Sequence, residues 1–306
     1  MDQANQSSTS TVSIVILTMN RSLHMQNVLK NIAQQSYLPS EIIIVDNNSE
    51  LKEQKNNEKL AKKYNAEYFL MNKNLGVSGG RNYGLKRANG DIIIEIDDDA
   101  EFVSRTSIEK VVKYFQEDRL IGVLAFSIYK NKNFDVRREE FPFFQKKKNI
   151  TNELTPCGWF IGAGHAFKKD IFNKVNYYND FFPYGQEEID FSIRVIDAGY
   201  KILFAKNIKI FHFKTDDARF ITPINIAGLN LKNRIKVALL NLNIISIIFF
   251  ILIRGFQYLI RYRTIKVIVI AWELLKKDLN YIKSNRKVVS CNTYVRLIRV
   301  RGPILF

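Results

Sequence analysis

Three consecutive aspartates, Asp97, Asp98 and Asp99, directly follow an apolar run at residues 91–96. Carboxylate oxygens are preferred ligands of hard divalent cations, and the alternate side chains of Asp97 and Asp99 can reach one ion together. Such a cation would neutralise a diphosphate. The triplet could instead be a solvated acidic turn. Its position directly after a buried strand holds the side chains rigidly, which favours the metal site.

His212 ends an apolar, strand-like run and is a candidate further ligand. A lone histidine in such a run is usually structural, but the chain has only 3 histidines and the aspartates need additional ligands. Both roles stay open for His212. The other two histidines, His24 and His165, have no comparable setting.

A second acidic cluster, Glu187, Glu188 and Asp190, opens a predicted helix after an aromatic segment. A helix start favours negative charge, which accounts for one of the three residues. Crowded carboxylates in aromatic surroundings tend toward the raised pKa of a general base. Helical spacing places Glu187 and Asp190 on one face and Glu188 on another, so they need not share a role.

The glycine-rich segment at residues 74–84 lets the backbone approach a ligand closely. We expect Ser78 to cap a helix that carries Arg81 and Asn82, with Arg81 able to meet a phosphate. The segment matches neither a dinucleotide fingerprint nor a P-loop. Its glycines could also serve only to shape a tight turn between strand and helix.

The elements that position these residues follow from a repeated pattern in the first 100 residues. Short β-branched runs, predicted as strands at 13–17, 41–45, 67–71 and 91–96, alternate with amphipathic stretches of helical period. This alternation predicts an α/β fold with a mostly parallel sheet. Since such sheets bind ligands beyond the carboxyl ends of their strands, the polar residues after each strand are site candidates.

Basic charge is concentrated near the C-terminus. The 306 residues carry a net charge of +16, of which residues 231–306, with 15 Lys and Arg against 2 Asp and Glu, contribute +13. Excess basic charge indicates a nucleic-acid or membrane-surface partner. The charge lies in an apolar tail without a recognisable nucleic-acid-binding module, so we expect no nucleic-acid partner. The main boundary is placed near residue 230.

The C-terminal region contains an apolar segment at 237–253, flanked by basic residues and followed by a second one at 267–275. A spanning helix needs about 20 apolar residues, so the first segment is borderline. Apolar and basic residues together predict helices that lie in the interface of a membrane with anionic headgroups. The alternative is that 237–253 packs beneath the first 230 residues.

Composition excludes several classes of protein. Apolar residues make up 46% of the chain, enough for a sizeable core. The 2 cysteines, Cys157 and Cys291, cannot form a disulfide framework or a four-cysteine zinc site. Residues 1–10 lack the apolar run of a signal peptide. We therefore expect a cytoplasmic protein, peripheral or monotopic at the inner face of the cell membrane.

Taken in chain order, these motifs resemble the inverting glycosyltransferases of family 2, which have the GT-A nucleotide-sugar-binding fold. The matching segments are 12–21, 45–49, 74–84, 97–99, 162–164, 187–190 with Arg194, and His212. The resemblance implies a Rossmann-like mixed, mostly parallel sheet flanked by helices in a catalytic domain at 1–230. Its nucleotide-sugar half is about 1–100 and its acceptor half about 101–230, with a basic, apolar helical extension at 231–306.

The resemblance also implies roles for individual residues. Thr18 and Asn20 lie against the nucleoside, and Asp46 holds the pyrimidine base of a UDP- or dTDP-linked donor. The full set of expected donor-binding residues is Thr18, Asn20, Asp46, Asn48, Gly76, Arg81, Asn82, Asp97 and Asp98. The expected ligands of Mn²⁺ or Mg²⁺ are Asp99, Asp97 and His212.

The acidic pair Glu187-Glu188 occupies the general-base position, which is often Glu-Asp in the family. We favour Glu188, which matches the second position, and keep Glu187 as the alternative. The expected acceptor or sugar site comprises Trp159, Gly162, Ala163 and Asp190. Trp159 and its neighbour Phe160 could stack on a sugar face or belong to the core. The tail indicates a lipid-linked or cell-envelope glycan acceptor.

Two other functions are compatible with parts of the sequence. A nucleotidyltransferase that makes nucleotide sugars could share the sheet and carboxylates, but its glycine-rich loop should follow the first strand, where residues 18–20 are Thr-Met-Asn. A catalytically silent sugar-binding relative could share the fold. It is disfavoured by the presence of the aspartate triplet, the glutamate pair and His212, and donor turnover would separate it from an enzyme.

Overall fold

A computed structural model of the chain describes residues 10–137, 140–143, 150–213 and 223–300. The strands in these residues are β1 (Val12–Thr18), β2 (Glu41–Asp46), β3 (Glu67–Leu70), β4 (Ile92–Ile96), β5 (Ala100–Phe102), β6 (Ile121–Tyr129), β7 (Leu154–Pro156), β8 (Gly164–Lys168) and β9 (Lys201–His212). They form one sheet in the order β3-β2-β1-β4-β8-β6-β9-β5, with β7 also paired to β9. The four strands predicted in the first 100 residues are confirmed as β1 to β4.

The sheet is mixed but mostly parallel, as predicted. Strands β1 to β4 pair in parallel, and β6 and β9 run in the same direction because β8 is antiparallel to both β4 and β6. Strands β5, β7 and β8 run in the opposite direction. Ile92, Ile93 and Ile94 of β4 are at most 2% exposed, as expected of a strand covered on both faces.

Helices cover both faces of this sheet. In the described residues they are α1 (Ser22–Ile32), α2 (Leu51–Lys63), α3 (Gly76–Leu85), α4 (Ser107–Glu117), α5 (Phe172–Val175), α6 (Glu187–Asp197), α7 (Pro223–Asn241), α8 (Ile244–Tyr262), α9 (Lys266–Lys276), α10 (Leu279–Asn285) and α11 (Cys291–Arg299). The apolar side chains of α1, α2 and α4 join one core cluster, and those of α3, α5, α6 and α7 join another.

The C-terminal region joins the rest of the chain through a continuous helix, because residue 230 lies inside α7. A domain division at that residue stays a prediction. The apolar segment 237–253 is two helices, since the side chain of Asn243 caps α8 by accepting a hydrogen bond from the backbone N–H of Ser246. Among the described helices, α8 is the one long and apolar enough to cross a membrane; its apolar window has mean hydropathy 1.8 and is 11% buried.

Strand direction places the candidate residues at one edge of the sheet. Because β1, β2, β4 and β9 are parallel, their carboxyl ends lie on the same side. Thr18, Asp46 and His212 end three of these strands, and Asp97 follows the fourth. The edge therefore gathers polar side chains that are up to 194 residues apart in sequence.

Candidate active site

Asp97, Asp99 and His212 form a group that could hold a metal ion. One ligand atom from each lies within 4.8 Å of the others. Nε2 of His212 lies 3.2 Å from Oδ1 of Asp99 and 3.8 Å from Oδ2 of Asp97. Oδ1 of Asp99 is buried and accepts no hydrogen bond, as expected of an oxygen that binds a cation. Two carboxylates and an imidazole fit a divalent ion such as Mn²⁺.

The middle aspartate of the triplet faces other partners. Asp98 accepts a hydrogen bond from the hydroxyl of Thr18 at 2.7 Å and one from Arg21 at 3.3 Å. Arg21 also donates to Oδ2 of Asp99 at 2.8 Å. Burial, with the nearby charge of Asp99, raises the pKa of Asp98 to about 7. Thr18 and Asp98 are both expected to bind the donor, and in the structure their side chains bind each other.

Glu140, which sequence analysis did not single out, contacts the other side of His212. Oε1 of Glu140 lies 2.9 Å from Nδ1 of the ring. Burial alone would lower the pKa of His212, but contacts with the carboxylates of Asp99 and Glu140 outweigh this effect and raise the pKa to about 10. A cation at Nε2 would compete with a proton for this nitrogen, because a histidine that binds a metal must be neutral.

Arg81 links the aspartates to the second acidic cluster. It is 6% exposed, and its Nη2 donates to Oδ1 of Asp97 and to the carbonyl of Gly162, each at 2.9 Å. Its Nη1 lies 3.6 Å from Oε1 of Glu188 and makes no hydrogen bond. The structure thus brings Arg81 to the predicted site, between the candidate metal ligands and the candidate base.

The two glutamates of the acidic pair lie in different environments. The side chain of Glu188 is 20% exposed and faces Arg81 and Gly162, where an added Cβ would come within 2.4 Å of its Oε1. Glu187 is 3% exposed, and one of its carboxylate oxygens has no hydrogen-bond partner. Burial, with the nearby charge of Glu188, raises the pKa of Glu187 to about 8. Glu188 is the more accessible of the two.

Every polar side-chain atom of Asp190 and of Asn82 makes a hydrogen bond within the protein. The carboxylate of Asp190 accepts hydrogen bonds from Arg194 and, at 3.1 Å, from Asn241 of α7. The amide of Asn82 donates to the carbonyl of Tyr178 and to Asp180, and its oxygen accepts from the N–H of Tyr178. Both side chains thus hold neighbouring segments in place, and their predicted contacts with acceptor and nucleotide stay predictions.

The loops after β1 and β2 are tied together by side chains. Asp46 has no exposed surface, and its oxygens accept hydrogen bonds from Asn57, Tyr68 and the N–H of Ser49. Asn20, at φ +59°, accepts from the N–H of Glu50. Asp46 therefore holds the loop, and its predicted contact with a base stays a prediction.

Asn20 and Asn48 are exposed at the same edge of the sheet, and Asn48 adopts a positive φ of +70°. Asn47, between Asp46 and Asn48, binds Asn74 and the carbonyl of Gly76. The predicted donor loops are thus connected to the glycine-rich segment.

The glycine-rich segment forms α3, but Ser78 does not cap it. The helix begins at Gly76, whose φ is +72°, and the Ser78 hydroxyl donates to the carbonyl of Phe182. The cap prediction was wrong because the helix begins two residues before Ser78, whose hydroxyl has this tertiary partner instead. A Cβ at Gly76 would lie 2.8 Å from the carbonyl oxygen of Pro183, so glycine is required for the close approach.

Phe160 lies in the core, whereas Trp159 lies partly at the surface. Phe160 is 1% exposed and makes edge-to-face contacts with Phe167 and Phe191, whereas Trp159 is half-buried. The carbonyl of Ala163 accepts from the N–H of Asp97 at 3.2 Å. Ala163 and Gly162 thus lie at the site, Ala163 through its backbone.

A buried polar network beneath Arg81 was missed by sequence analysis. Nε2 of His165 lies 2.9 Å from Oε2 of Glu95, which also accepts from the hydroxyl of Tyr178 at 2.7 Å. Burial alone would raise the pKa of Glu95, but His165 and Arg81 hold it below its usual value. The available signal was Glu95 itself, a charged residue inside the apolar strand β4.

Helix α7 of the C-terminal region contacts the loop before α6. Asn233 of α7 donates to the carbonyls of Tyr184 and Gly185, just before the acidic pair. The buried Lys236 binds the carbonyl of Phe181 and Asp278. These contacts therefore hold the loop that leads into α6 in place.

Comparison with known proteins decides the family. The family model described as glycosyl transferase family 2 matches residues 13–175, more than half of the chain. The chain belongs to glycosyl transferase family 2. The match covers the aspartate triplet, Arg81 and Gly162, and ends before the acidic pair and His212.

Curated relatives of this glycosyltransferase come from several bacteria. An uncharacterised protein of Haemophilus influenzae is 30% identical over 57% of the chain and 96% of its own length. The uncharacterised glycosyltransferase YwdF of Bacillus subtilis is 26% identical, over 55% of the chain and 62% of its own length. A Campylobacter jejuni protein named GalNAc(5)-diNAcBac-PP-undecaprenol beta-1,3-glucosyltransferase is 30% identical, over 30% of the chain and 31% of its own length. The chain thus spans less than two thirds of the length of YwdF and of the Campylobacter jejuni protein.

Solved structures share the GT-A fold at low sequence identity. GalNAc-T7, crystallised with UDP, GalNAc and Mn²⁺, has a TM-score of 0.62 at 16% identity, over 78% of this chain and 49% of its own. Staphylococcus aureus TarS 1-349 in complex with UDP-GlcNAc has a TM-score of 0.56 at 16% identity, over 75% of this chain and 66% of its own. At this identity the likeness establishes the fold alone.

Proposed function

We propose that this glycosyltransferase moves a sugar from a UDP- or dTDP-linked donor to an acceptor hydroxyl, with inversion and with the help of a divalent cation. The observation that carries the proposal is the position of Arg81, which joins Asp97 of the metal-binding group to Glu188. A charge-stabilising group and a base are therefore held on either side of one guanidinium. Inverting transfer needs both at a single reaction centre.

In this mechanism Glu188 removes a proton from the acceptor hydroxyl. The oxygen attacks the anomeric carbon as the bond to the nucleoside diphosphate breaks on the opposite face, so the configuration inverts. We favour Glu188 over Glu187 because its side chain is 20% exposed, whereas Glu187 is 3% exposed. Glu187 remains the alternative base.

Asp97, Asp99 and His212 would hold Mn²⁺ or Mg²⁺. When bound, the cation supplies positive charge to the leaving diphosphate. Asn20 and Asn48, exposed after β1 and β2, would contact the nucleoside. Arg81 would orient Asp97 and Glu188, which lie at its two Nη atoms.

The acceptor we propose is a lipid-linked or cell-envelope glycan. This rests on the names of relatives: the Campylobacter jejuni undecaprenol-linked glucosyltransferase and the minor teichoic acid biosynthesis protein GgaB of Bacillus subtilis, 31% identical over 38% of the chain and 13% of its own length. The assignment of an envelope pathway follows the same relatives.

We further propose that α8 docks the enzyme on the inner face of the cell membrane, in a peripheral or monotopic manner. Phe249, Leu252 and Phe256 of α8 are each more than 60% exposed, and Arg261 is exposed on the same helix. Apolar burial in the interface and attraction to anionic headgroups act together on such a surface, at about 1 kcal/mol per basic residue.

The enzymatic proposal is tested by incubating the purified protein with a panel of UDP- and dTDP-linked sugars and a bacterial glycolipid extract. We expect metal-dependent release of one nucleoside diphosphate and, by NMR of the product, an inverted anomeric configuration. Retained configuration would contradict the mechanism. No release from any donor with Mn²⁺ or Mg²⁺ would favour the catalytically silent relative.

A further inference from the structure

His212 has separate partners at its two ring nitrogens. Nε2 faces the aspartates, at 3.2 Å from Asp99 and 3.8 Å from Asp97. Nδ1 lies 2.9 Å from Oε1 of Glu140, a residue outside every motif of the sequence analysis. The ring is therefore held from the side opposite to the metal-binding group.

Glu140 is itself fixed in place. It is 4% exposed, and its second oxygen accepts a hydrogen bond from Nη1 of Arg137 at 3.1 Å. The same nitrogen of Arg137 donates to the backbone carbonyl of His212 at 3.2 Å. The side chain of His212, its backbone and Glu140 thus form one connected unit, which restricts rotation of the imidazole.

Glu140 is a third carboxylate beside His212, and it is buried. Glu140 adds negative charge beside a histidine that already faces Asp97 and Asp99, and burying like charges together is unfavourable. A neutral histidine with only a structural role has one N–H to donate and needs a single acceptor. A carboxylate behind a metal-ligating histidine has a physical role, because it fixes the tautomer and strengthens the other nitrogen as a ligand.

We propose that Glu140 is a positioning residue that holds Nδ1–H of His212 and so directs Nε2 as a ligand toward the two aspartates. This inference rests on the proposed metal-dependent function. Removal of such a partner typically lowers metal affinity about 10- to 100-fold. Arg137 contributes indirectly, by fixing the orientation of the Glu140 carboxylate.

The test measures Mn²⁺ affinity of the full chain by electron paramagnetic resonance of free Mn²⁺, with UDP present. We expect the Kd for Mn²⁺ to rise about 10- to 100-fold in Glu140→Ala and less in Glu140→Gln, which keeps a neutral acceptor. The matched control is Glu117→Gln, at an exposed glutamate of α4, which should leave the Kd within about twofold. Glu140→Gln answers the question if Glu140→Ala fails to fold.

A second readout is the tautomer of His212, followed by ¹⁵N NMR with diamagnetic Mg²⁺ and UDP. We expect a single Nδ1–H tautomer in the wild type and mixed tautomers in Glu140→Ala. Unchanged Mn²⁺ affinity in both Glu140 variants, with a wild type that binds, would overturn the positioning role. A wild type that binds no Mn²⁺ would instead contradict the proposed function.

Discussion

Nη1 of Arg81 lies 3.6 Å from Oε1 of Glu188, while Nη2 of the same guanidinium binds Asp97. Lysine has one point charge and cannot span both carboxylates. We expect Arg81→Lys to lower kcat by at least about tenfold and to reduce stability by about 1–3 kcal/mol, because lysine replaces only part of the hydrogen bonding of the buried guanidinium. Transferase assays and thermal unfolding check both effects. Arg87→Lys, at an exposed arginine two residues after the end of α3, is the control; equal losses there would remove the special role of Arg81.

Gly162 lies where Arg81 and Glu188 meet. A Cβ at this position would come 2.4 Å from Oε1 of Glu188 and 2.7 Å from Nη1 of Arg81. Gly162→Ala should therefore displace Glu188 and lower kcat by about 10- to 100-fold, since small misplacements of catalytic groups are costly. The matched substitution Gly255→Ala has no atom within 4 Å of the added methyl and should leave turnover unchanged. Full activity of Gly162→Ala would show that this contact is not needed.

Glu187 makes stability depend on pH. Its folded-state pKa of about 8 lies above the usual 4.5, so the folded state binds more protons than the unfolded state between these values. The free energy of unfolding should fall as pH rises from about 4.5 to 8. Glu187→Gln removes this loss and should be more stable than the wild type by about 1–3 kcal/mol at pH 8, with a smaller gain at pH 5. Urea unfolding at both pH values is the measurement, and an equal gain at both would refute the assignment.

The exposed apolar face of α8 should bind anionic membranes. Leu252→Glu places a charge at a side chain that is 64% exposed, and should weaken binding to vesicles containing phosphatidylglycerol by about tenfold. Leu38→Glu changes a leucine of 62% exposure before β2 and should have no effect. Co-sedimentation with these vesicles at low and high salt measures the binding of the two variants. Equal binding of both variants would exclude α8 as the docking surface.

The fold could be predicted because its signals are local. Buried runs such as 92–94 and the helical spacing of Met25, Val28 and Ile32 depend only on neighbouring residues. The aspartate triplet was recognisable for the same reason, since it directly follows β4. Arg81 was also identified as a site residue, although its partners were not.

The remaining features depend on contacts between distant segments. Glu140 and His212 are 72 residues apart, so no sequence pattern connects them. Asp190 and Asn82 stand in recognisable motifs, but only the structure reveals that protein partners occupy their polar atoms. The split of residues 237–253 depends on one capping residue, Asn243, within an apolar stretch.

Calorimetric titration of the purified protein with UDP, dTDP and GDP, each with and without Mn²⁺, tests the proposed metal-dependent donor site. We expect one pyrimidine diphosphate to bind in a metal-dependent manner, with binding lost in Asp99→Ala and kept in Glu188→Gln, whose turnover falls by about 10²- to 10⁴-fold. Absence of nucleotide binding under every condition, or metal-dependent binding that survives in Asp99→Ala, would contradict a donor site whose metal is held by Asp99.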